Sequence, residues 1–347
     1  MNAIPSSGTR ISRAPDPHTA LAERRALLHD GMRRAVAELS DEIRPIITYH
    51  LGWTDPDGRP ASGDAGKCLR GCLTLLSAEA VGATPEIAVP GAVAVELVHN
   101  FSLLHDDIVD LDRERRHRPS AWTVFGVGPT IVAGDVLLMR ALDVLGGTGN
   151  AEAAVELATA TSTMIEGQAV DLSYQVRRDV AVDDVLTMSE KKTAALIGCS
   201  TSLGALLGGG SPDLVATLRD FGTALGIAFQ AIDDILGTWG DPAVTGKDVG
   251  GDVRRRKLTL PLSAAMGRPG VEATELRTLM NNATDLTPAQ VARAIHLIEH
   301  CGGRQWTERC ANRHHQLALA ALAVVDNGTD AWRLLSEVGE FAVGRSY

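Results

Sequence analysis

From about residue 19 to residue 344, apolar residues recur at spacings of three and four, in segments rich in Ala and Leu. Runs that alternate apolar with polar residues are nearly absent. A chain patterned in this way buries its core through helices, so the expected fold class is all-α. The periodicity predicts helices near 19–52, 67–82, 86–110, 129–146, 150–176, 182–208, 212–237, 258–267, 271–282, 287–301, 303–326 and 328–344. Thr287 before Pro288 and Asp183 before Asp184 read as helix starts, and Gly302-Gly303 as a stop. Gly208–Gly210 reads as a terminator, because no Lys-Ser or Lys-Thr follows to make a phosphate loop. The Gly- and Pro-rich joints separate no regions of different composition. Residues 19–347 are therefore read as a single domain, after a flexible tail over 1–18 containing Pro, Ser and Arg.

Charge narrows the partners. Against 33 basic residues stand 43 acidic ones, a net charge of −10, which suits a nucleic-acid binder poorly. An anionic ligand must then be met by a local basic cluster or by metal ions. Five scattered cysteines (68, 72, 199, 301, 310) form no disulfide framework and read as reduced thiols, which points to the cytoplasm. Cys301, Cys310 and His314 match no common zinc spacing. The N-terminal segment lacks the apolar core of a signal peptide, and polar residues break the apolar stretches, so no membrane span is expected.

One internal echo carries the chemistry. Leu103-Leu104-His105-Asp106-Asp107-Ile108-Val109-Asp110 resembles Gln230-Ala231-Ile232-Asp233-Asp234-Ile235-Leu236-Gly237. In each, an apolar helix delivers adjacent carboxylates near its C-terminal end. Asp106 and Asp110 share one helix face, one turn apart, with His99 two turns below Asp106. Stacked carboxylates repel, and the macrodipole at a helix C-terminus adds to the penalty. A divalent cation removes both, and Mg²⁺ takes one or two carboxylates with water and phosphate oxygens completing its shell. A basic cluster, Arg113 to Arg118, follows the first acidic set, and Lys247, Arg254, Arg255, Arg256 and Lys257 follow the second. Acids beside guanidinium and ammonium groups suit a diphosphate caged by metal on one side and cations on the other.

These residues resemble the trans-isoprenyl diphosphate synthases of the polyprenyl synthetase family, from about residue 60 to the C-terminus. The family's first aspartate-rich motif, with its paired arginines, matches Asp106, Asp107 and Asp110 with Arg115 and Arg116. Its second matches Asp233 and Asp234, and here Gly237 replaces the last acid. Asp241, just beyond, could reach a metal through water. Gly66, Lys67 and Arg70, with His99 and Arg116, match the family's isopentenyl diphosphate site. Arg115, Lys192, Thr193, Gln230, Lys247 and Lys257 match its allylic diphosphate site. Gln168 and Asp171 lie in a family-like Gly-Gln-x-x-Asp-Leu segment. Ala65, Gly71 and Ser120 depart from the usual glycine, proline and threonine.

The resemblance implies a helical bundle of the isoprenoid synthase type around a central substrate cavity. It implies a homodimer and about three Mg²⁺ ions per site, replaceable by Mn²⁺. The reaction implied is head-to-tail condensation of isopentenyl diphosphate with an allylic diphosphate, with Asp106, Asp107, Asp110, Asp233, Asp234 and Lys192 as the catalytic set. Asp106, Asp110, Asp233 and Asp234 are the implied metal ligands. Phe101, five residues before the first motif, and Ser102 are the implied chain-length residues. A bulky ring beside a small serine favours geranylgeranyl diphosphate over farnesyl or longer products. A class I terpene cyclase shares the fold but needs no second diphosphate site and usually lines its pocket with aromatics, here 4% of the chain. A non-catalytic partner subunit would not need both aspartate pairs.

Overall fold

A computed structural model describes residues 17–61, 68–175, 177, 179–240, 250–281, 285–325 and 329–343. Helices account for nearly all of its regular structure. In chain order they are α1 (Pro17–Ala37), α2 (Arg44–His50), α3 (Leu69–Ala80), α4 (Val89–Val109), α5 (Ala121–Phe125), α6 (Val127–Gly146), α7 (Ala151–Tyr174) and α8 (Val182–Ser189). There follow α9 (Ala195–Leu207), α10 (Pro212–Trp239), α11 (Gly251–Arg254), α12 (Leu260–Met266), α13 (Val271–Asn281), α14 (Pro288–His300), α15 (Gly303–Val325) and α16 (Asp330–Val343). The tail expected over 1–18 falls outside the described residues, except that Pro17 and His18 open α1.

Two long helices organise the rest. α10 starts at Pro212, with Ser211 accepting from the Leu214 amide as its cap. It packs between α9 and α15. Its buried stripe includes Leu218, Phe221 and Leu225, and burying each such side chain contributes about 1.5–3 kcal/mol. α4 packs along α6 and is buried continuously from Gly91 to Val98. Residues Pro85–Val109 are long and apolar enough to cross a membrane, but 67% of an 18-residue stretch within them is buried inside the protein. This is a core helix by its surroundings, since neighbours cover most of it.

The expected helices recur, joined by the short α5 and α11 that the periodicity does not predict, and with four further differences. The stretch 19–52 breaks into α1 and α2, where residues 38–43 turn and Pro45 restarts the helix. Asp183 is not a cap; Ala181 is the N-cap of α8, and Asp183 and Asp184 sit in its first turn, where negative charge favours the helix dipole. Between α8 and α9, residues Glu190–Ala194 widen into a π-helical turn. Finally, Glu114–Arg115 and Arg118–Pro119 pair as a two-residue antiparallel hairpin. Thr287 does cap α14, in a reciprocal capping box with Gln290.

Candidate active site

The C-terminal ends of α4 and α10 face one cavity of about 490 Å³. His99, Ser102, Asp106 and Asp110 line it from α4, at the spacing of one helix face. Phe229, Gln230, Asp233 and Asp234 line it from α10, so the two acidic sets open into the same space. Phe101, Met164, Ile165 and Met188 add apolar wall. Phe101 is buried, and its ring meets the His105 ring edge-on at 4.8 Å between centroids.

The paired aspartates do not behave alike. Asp106 is half-buried on the cavity wall, and burial raises its carboxyl above the ordinary aspartate range, with Lys192 opposing and Asp110 adding to the shift. Asp107, about 100° round the helix, lies outside the cavity lining. It is 1% exposed, and both its oxygens accept from Arg115 Nε at 2.8 and 2.9 Å. Burial would lower the Arg115 pKa, but this bond and the Asp107 charge raise it. Asp107 thus holds Arg115 against the cavity wall.

Asp234 closes a relay. Thr193 Oγ1 donates to Gln230 Oε1 at 2.7 Å, and Gln230 Nε2 donates to Asp234 Oδ1 at 2.7 Å. The Leu260 amide donates to Asp234 Oδ2 at 2.9 Å. Burial is the main reason that its carboxyl is pushed up to about 7. Both its oxygens are engaged by protein donors. Asp234→Asn offers one acceptor where two are needed and should cost about 1–3 kcal/mol of stability. Chemical denaturation of the metal-free protein measures this, and an unchanged midpoint and slope would contradict the relay.

Besides Arg115 of the hairpin, cations reach the cavity from three elements. The π-turn carries Lys192 and Thr193, and π-bulges commonly mark functional sites. Gly167 on α7 makes the approach possible, since a Cβ there would lie 2.4 Å from the Lys192 backbone nitrogen. Lys192 Nζ consequently reaches Asp171 Oδ2 at 2.6 Å, and both line the cavity. Lys257 Nζ stands 3.7 Å from Asp110 Oδ2. Burial would lower the Lys257 pKa, but Asp110, Asp171, Asp252 and Asp106 together hold it above the ordinary lysine value. On the α3 side, Arg70 and His99 line the cavity, and burial with the charges of Arg70, Arg115 and Arg116 keeps His99 neutral. Gly66, Lys67, Asp241 and Lys247 lie outside the described residues.

Residues 61–298 of this chain match the polyprenyl synthetase family. The chain belongs to that family. It is 41% identical over 311 residues to the (2E,6E)-farnesyl diphosphate synthase of Mycobacterium tuberculosis, covering 88% of this chain and 86% of that one. It is 42% identical over 308 residues to the geranylgeranyl diphosphate synthase of the same organism, covering 87% and 88%. The crystal structure of a polyprenyl synthetase from Streptomyces coelicolor superposes with a TM-score of 0.90 at 42% identity, over 94% of this chain and all of that one. A geranylgeranyl pyrophosphate synthase from Corynebacterium glutamicum, solved with isoprenyl diphosphate and magnesium, gives 0.78 at 27% identity over 95% and 98%. This polyprenyl synthetase is accordingly an all-α prenyltransferase.

The donor set of this synthetase fits Mg²⁺ shared with a ligand. Asp106, Asp110 and Asp233 present hard oxygens to one cavity, yet among the described residues no three acid, His or Cys side chains form a metal-binding group by themselves. Ligand phosphate oxygens and water would have to complete each shell, the usual Mg²⁺ arrangement. Gln168 lines the same cavity with both amide atoms buried and unpartnered, the state of a group that awaits a ligand.

Backbone strain surrounds the site. Among the described residues, the non-glycine residues with left-handed backbone are Cys68, Leu111, Arg116, His117 and Arg256. Each borders a segment that carries a site cation or acid. Arg116 and His117 form the tip of the hairpin, a two-residue turn that ordinarily takes Gly or Asn. Arg256 aims Lys257, whose amide donates to the Asp252 carbonyl at 2.9 Å.

A smaller cavity of about 100 Å³ lies under this hairpin, lined by His50, Arg115, Arg116 and Arg118 among others. Arg116 opens on this side and not into the larger cavity. His50, absent from the sequence-based site, has an unpartnered buried Nε2 and is pushed down to about 3 by burial and by Arg115 and Arg116. Asp112, Arg255 and Asp252 stand in the charged stretches beside the two motifs and carry no assigned site role in the sequence reading, yet they line the main cavity. Their position beside the acidic motifs is the one available signal, because acids and arginines after a helix end more often form a solvated turn.

Proposed function

We propose that this prenyltransferase condenses isopentenyl diphosphate head-to-tail with an allylic diphosphate and releases a short-chain (E)-prenyl diphosphate, chiefly geranylgeranyl diphosphate. One observation carries the reading. A single cavity joins two carboxylate sets, one on α4 and one on α10, to cations from separate elements. Asp106, Asp110 and Asp233 would hold Mg²⁺, about three ions per site and replaceable by Mn²⁺. Bound there, they would supply neutralisation of the charge that develops on the departing diphosphate.

Lys192, Thr193, Gln230 and Lys257, with Arg115 and Lys247, orient the allylic diphosphate. Asp107 and Asp234 position Arg115 and Gln230 and are not themselves ligands in this reading. Gly66, Lys67, Arg70 and His99 hold isopentenyl diphosphate, so its double bond meets the allylic carbon, and Arg116, which opens on the smaller cavity, adds its charge from behind His99. The new carbon–carbon bond forms as the allylic C–O bond breaks, and the released diphosphate accepts the proton lost from the isopentenyl unit. The apolar wall from Phe101 to Met188 excludes water from the developing cation.

The two substrate sites should separate by mutation. Arg70→Ala removes a charge-assisted contact of about 1.5–3 kcal/mol, so KM for isopentenyl diphosphate should rise by roughly tenfold to a hundredfold. KM for the allylic substrate should change little. Equal rises for both would contradict the division.

The protein is also proposed to be a cytoplasmic homodimer. Five cysteines without disulfides suit the compartment. Val127, Ile131, Val132 and Met139 are exposed along α6, an apolar surface that a second copy would cover. Light scattering at micromolar concentration should give twice the chain mass of 36.7 kDa. A single-chain mass would refute the dimer.

A further inference from the structure

The first turn of α3 takes its cap from a different helix. The first amides of a helix have no acceptor within it, and the residue just before the helix ordinarily supplies one from a short polar side chain. Here that residue is Cys68, which has a left-handed backbone (φ 48°) and makes no side-chain cap bond. The acceptor comes from α4. The Gly71 amide, third in α3, donates to Glu96 Oε1 at 2.9 Å. A carboxylate in this place also meets the positive end of the helix dipole.

Glu96 is 5% exposed, and no step of the proposed reaction calls for it. A buried carboxylate is unfavourable unless it is paired and hydrogen-bonded. Burial raises its pKa, and the Gly71 amide, the charges of Arg70 and Arg116 and the Arg70 amide all oppose that rise. From the other side, burial draws Arg70 below the ordinary arginine value, and the Glu96 charge opposes this. Arg70 thus has its counter-charge in Glu96. It sits in the capped turn between Leu69 and Gly71, with its Nε buried and unpartnered, and it lines the main cavity. Gly71 lets the helices come this close. A Cβ there would lie 2.5 Å from Leu28 Cδ2 of α1 and 3.2 Å from Glu96 Cγ. Proline, the residue usual at this place in the family, would in addition have no N–H to give.

We infer that Glu96 is a positioning residue for isopentenyl diphosphate: from α4 it caps α3 through the Gly71 amide and so sets the Arg70 guanidinium at the cavity. This rests on the assignment of Arg70 to that substrate proposed above. Glu96 is not among the residues that line the cavity, so its effect on the substrate passes through Arg70. The glycine at 71 is what couples the two helices, because it supplies both the donor and the room.

Steady-state kinetics of the full chain, with each substrate varied in turn, test this. Glu96→Gln keeps an acceptor for the Gly71 amide and removes the charge. KM for isopentenyl diphosphate should then rise about tenfold, while kcat and KM for the allylic substrate change by less than about twofold. In an Arg70→Ala background the same change should add less than about twofold, because the group it acts through is gone. Gly71→Pro, which removes the donor, should raise the same KM by a similar factor. Gly71→Ala keeps the donor and meets Leu28 in the same way, so it should raise that KM far less. An unchanged KM in Glu96→Gln, equal rises for both substrates, or full additivity with Arg70→Ala would overturn the inference. If Glu96→Gln fails to fold, the two variants at 71 decide, and equal KM values in them would overturn it. An Arg70→Ala variant with an unaltered KM for isopentenyl diphosphate would overturn the assignment of Arg70 itself, and this inference with it.

Discussion

Asp106→Ala is expected to lower turnover by about 10²–10³ or more at saturating Mg²⁺, the loss typical of a group that stabilises developing charge. Asp106 is half-buried on the cavity face of α4, its carboxyl raised chiefly by burial, and Lys192 is the nearest counter-charge in effect. Such a carboxylate is costly unless a cation meets it. Removing it should leave the fold intact while the diphosphate loses a metal anchor. Asp107→Asn should act differently, although the residue is adjacent. It frees Arg115, so the defect should appear in allylic diphosphate affinity together with a loss of stability. Near-normal turnover in Asp106→Ala would remove the metal assignment for the first motif.

Phe101→Ala should lengthen the products. The Phe101 ring lines the cavity below Ser102 and rests edge-on against His105. His105 is in turn seated over Gly134 of α6, where a Cβ would lie 2.4 Å from its Nε2. The ring is therefore backed by packed atoms, as the proposed floor of the pocket requires. Taking it away opens space toward the buried Val98 and Val95, and a chain that stopped at twenty carbons should gain further five-carbon units. Chain-length analysis by mass spectrometry reads this directly. An unchanged distribution with activity retained would leave Phe101 as a core residue only. The two M. tuberculosis relatives, one making the farnesyl and one the geranylgeranyl product by name, are almost equally similar to this chain. Overall likeness thus does not fix product length, and the floor residues have to be tested.

How much of this was legible in the sequence depends on what each feature needs. The helices were, because an amphipathic period is local and repeats over many residues. The stack of His99, Ser102, Asp106 and Asp110 was also legible, because a helix wheel fixes which residues share a face. The same wheel turns Asp107 away from Asp106, but only the folded chain reveals that Arg115 waits on that side. The π-turn that projects Lys192 leaves no mark in the sequence; it depends on the close approach of Gly167 from another helix. The hairpin tip was hidden for a different reason. Arg116 and His117 take a backbone that turn chemistry assigns to Gly or Asn, and tertiary contacts impose it. The contact between Gly237 and Asp252 was hidden because Asp252 is fifteen positions away in the chain and comes from another helix.

The most direct measurement is product analysis with the purified chain alone. It would be incubated with isopentenyl diphosphate, Mg²⁺ and, in turn, dimethylallyl, geranyl or farnesyl diphosphate. Linear all-(E) prenyl diphosphates, extended in five-carbon steps and ending mainly at geranylgeranyl diphosphate, are the expected products, with none when Mg²⁺ is chelated. Failure to incorporate isopentenyl diphosphate with any primer, or conversion of the allylic diphosphate alone into cyclic hydrocarbon, would contradict the proposed reaction.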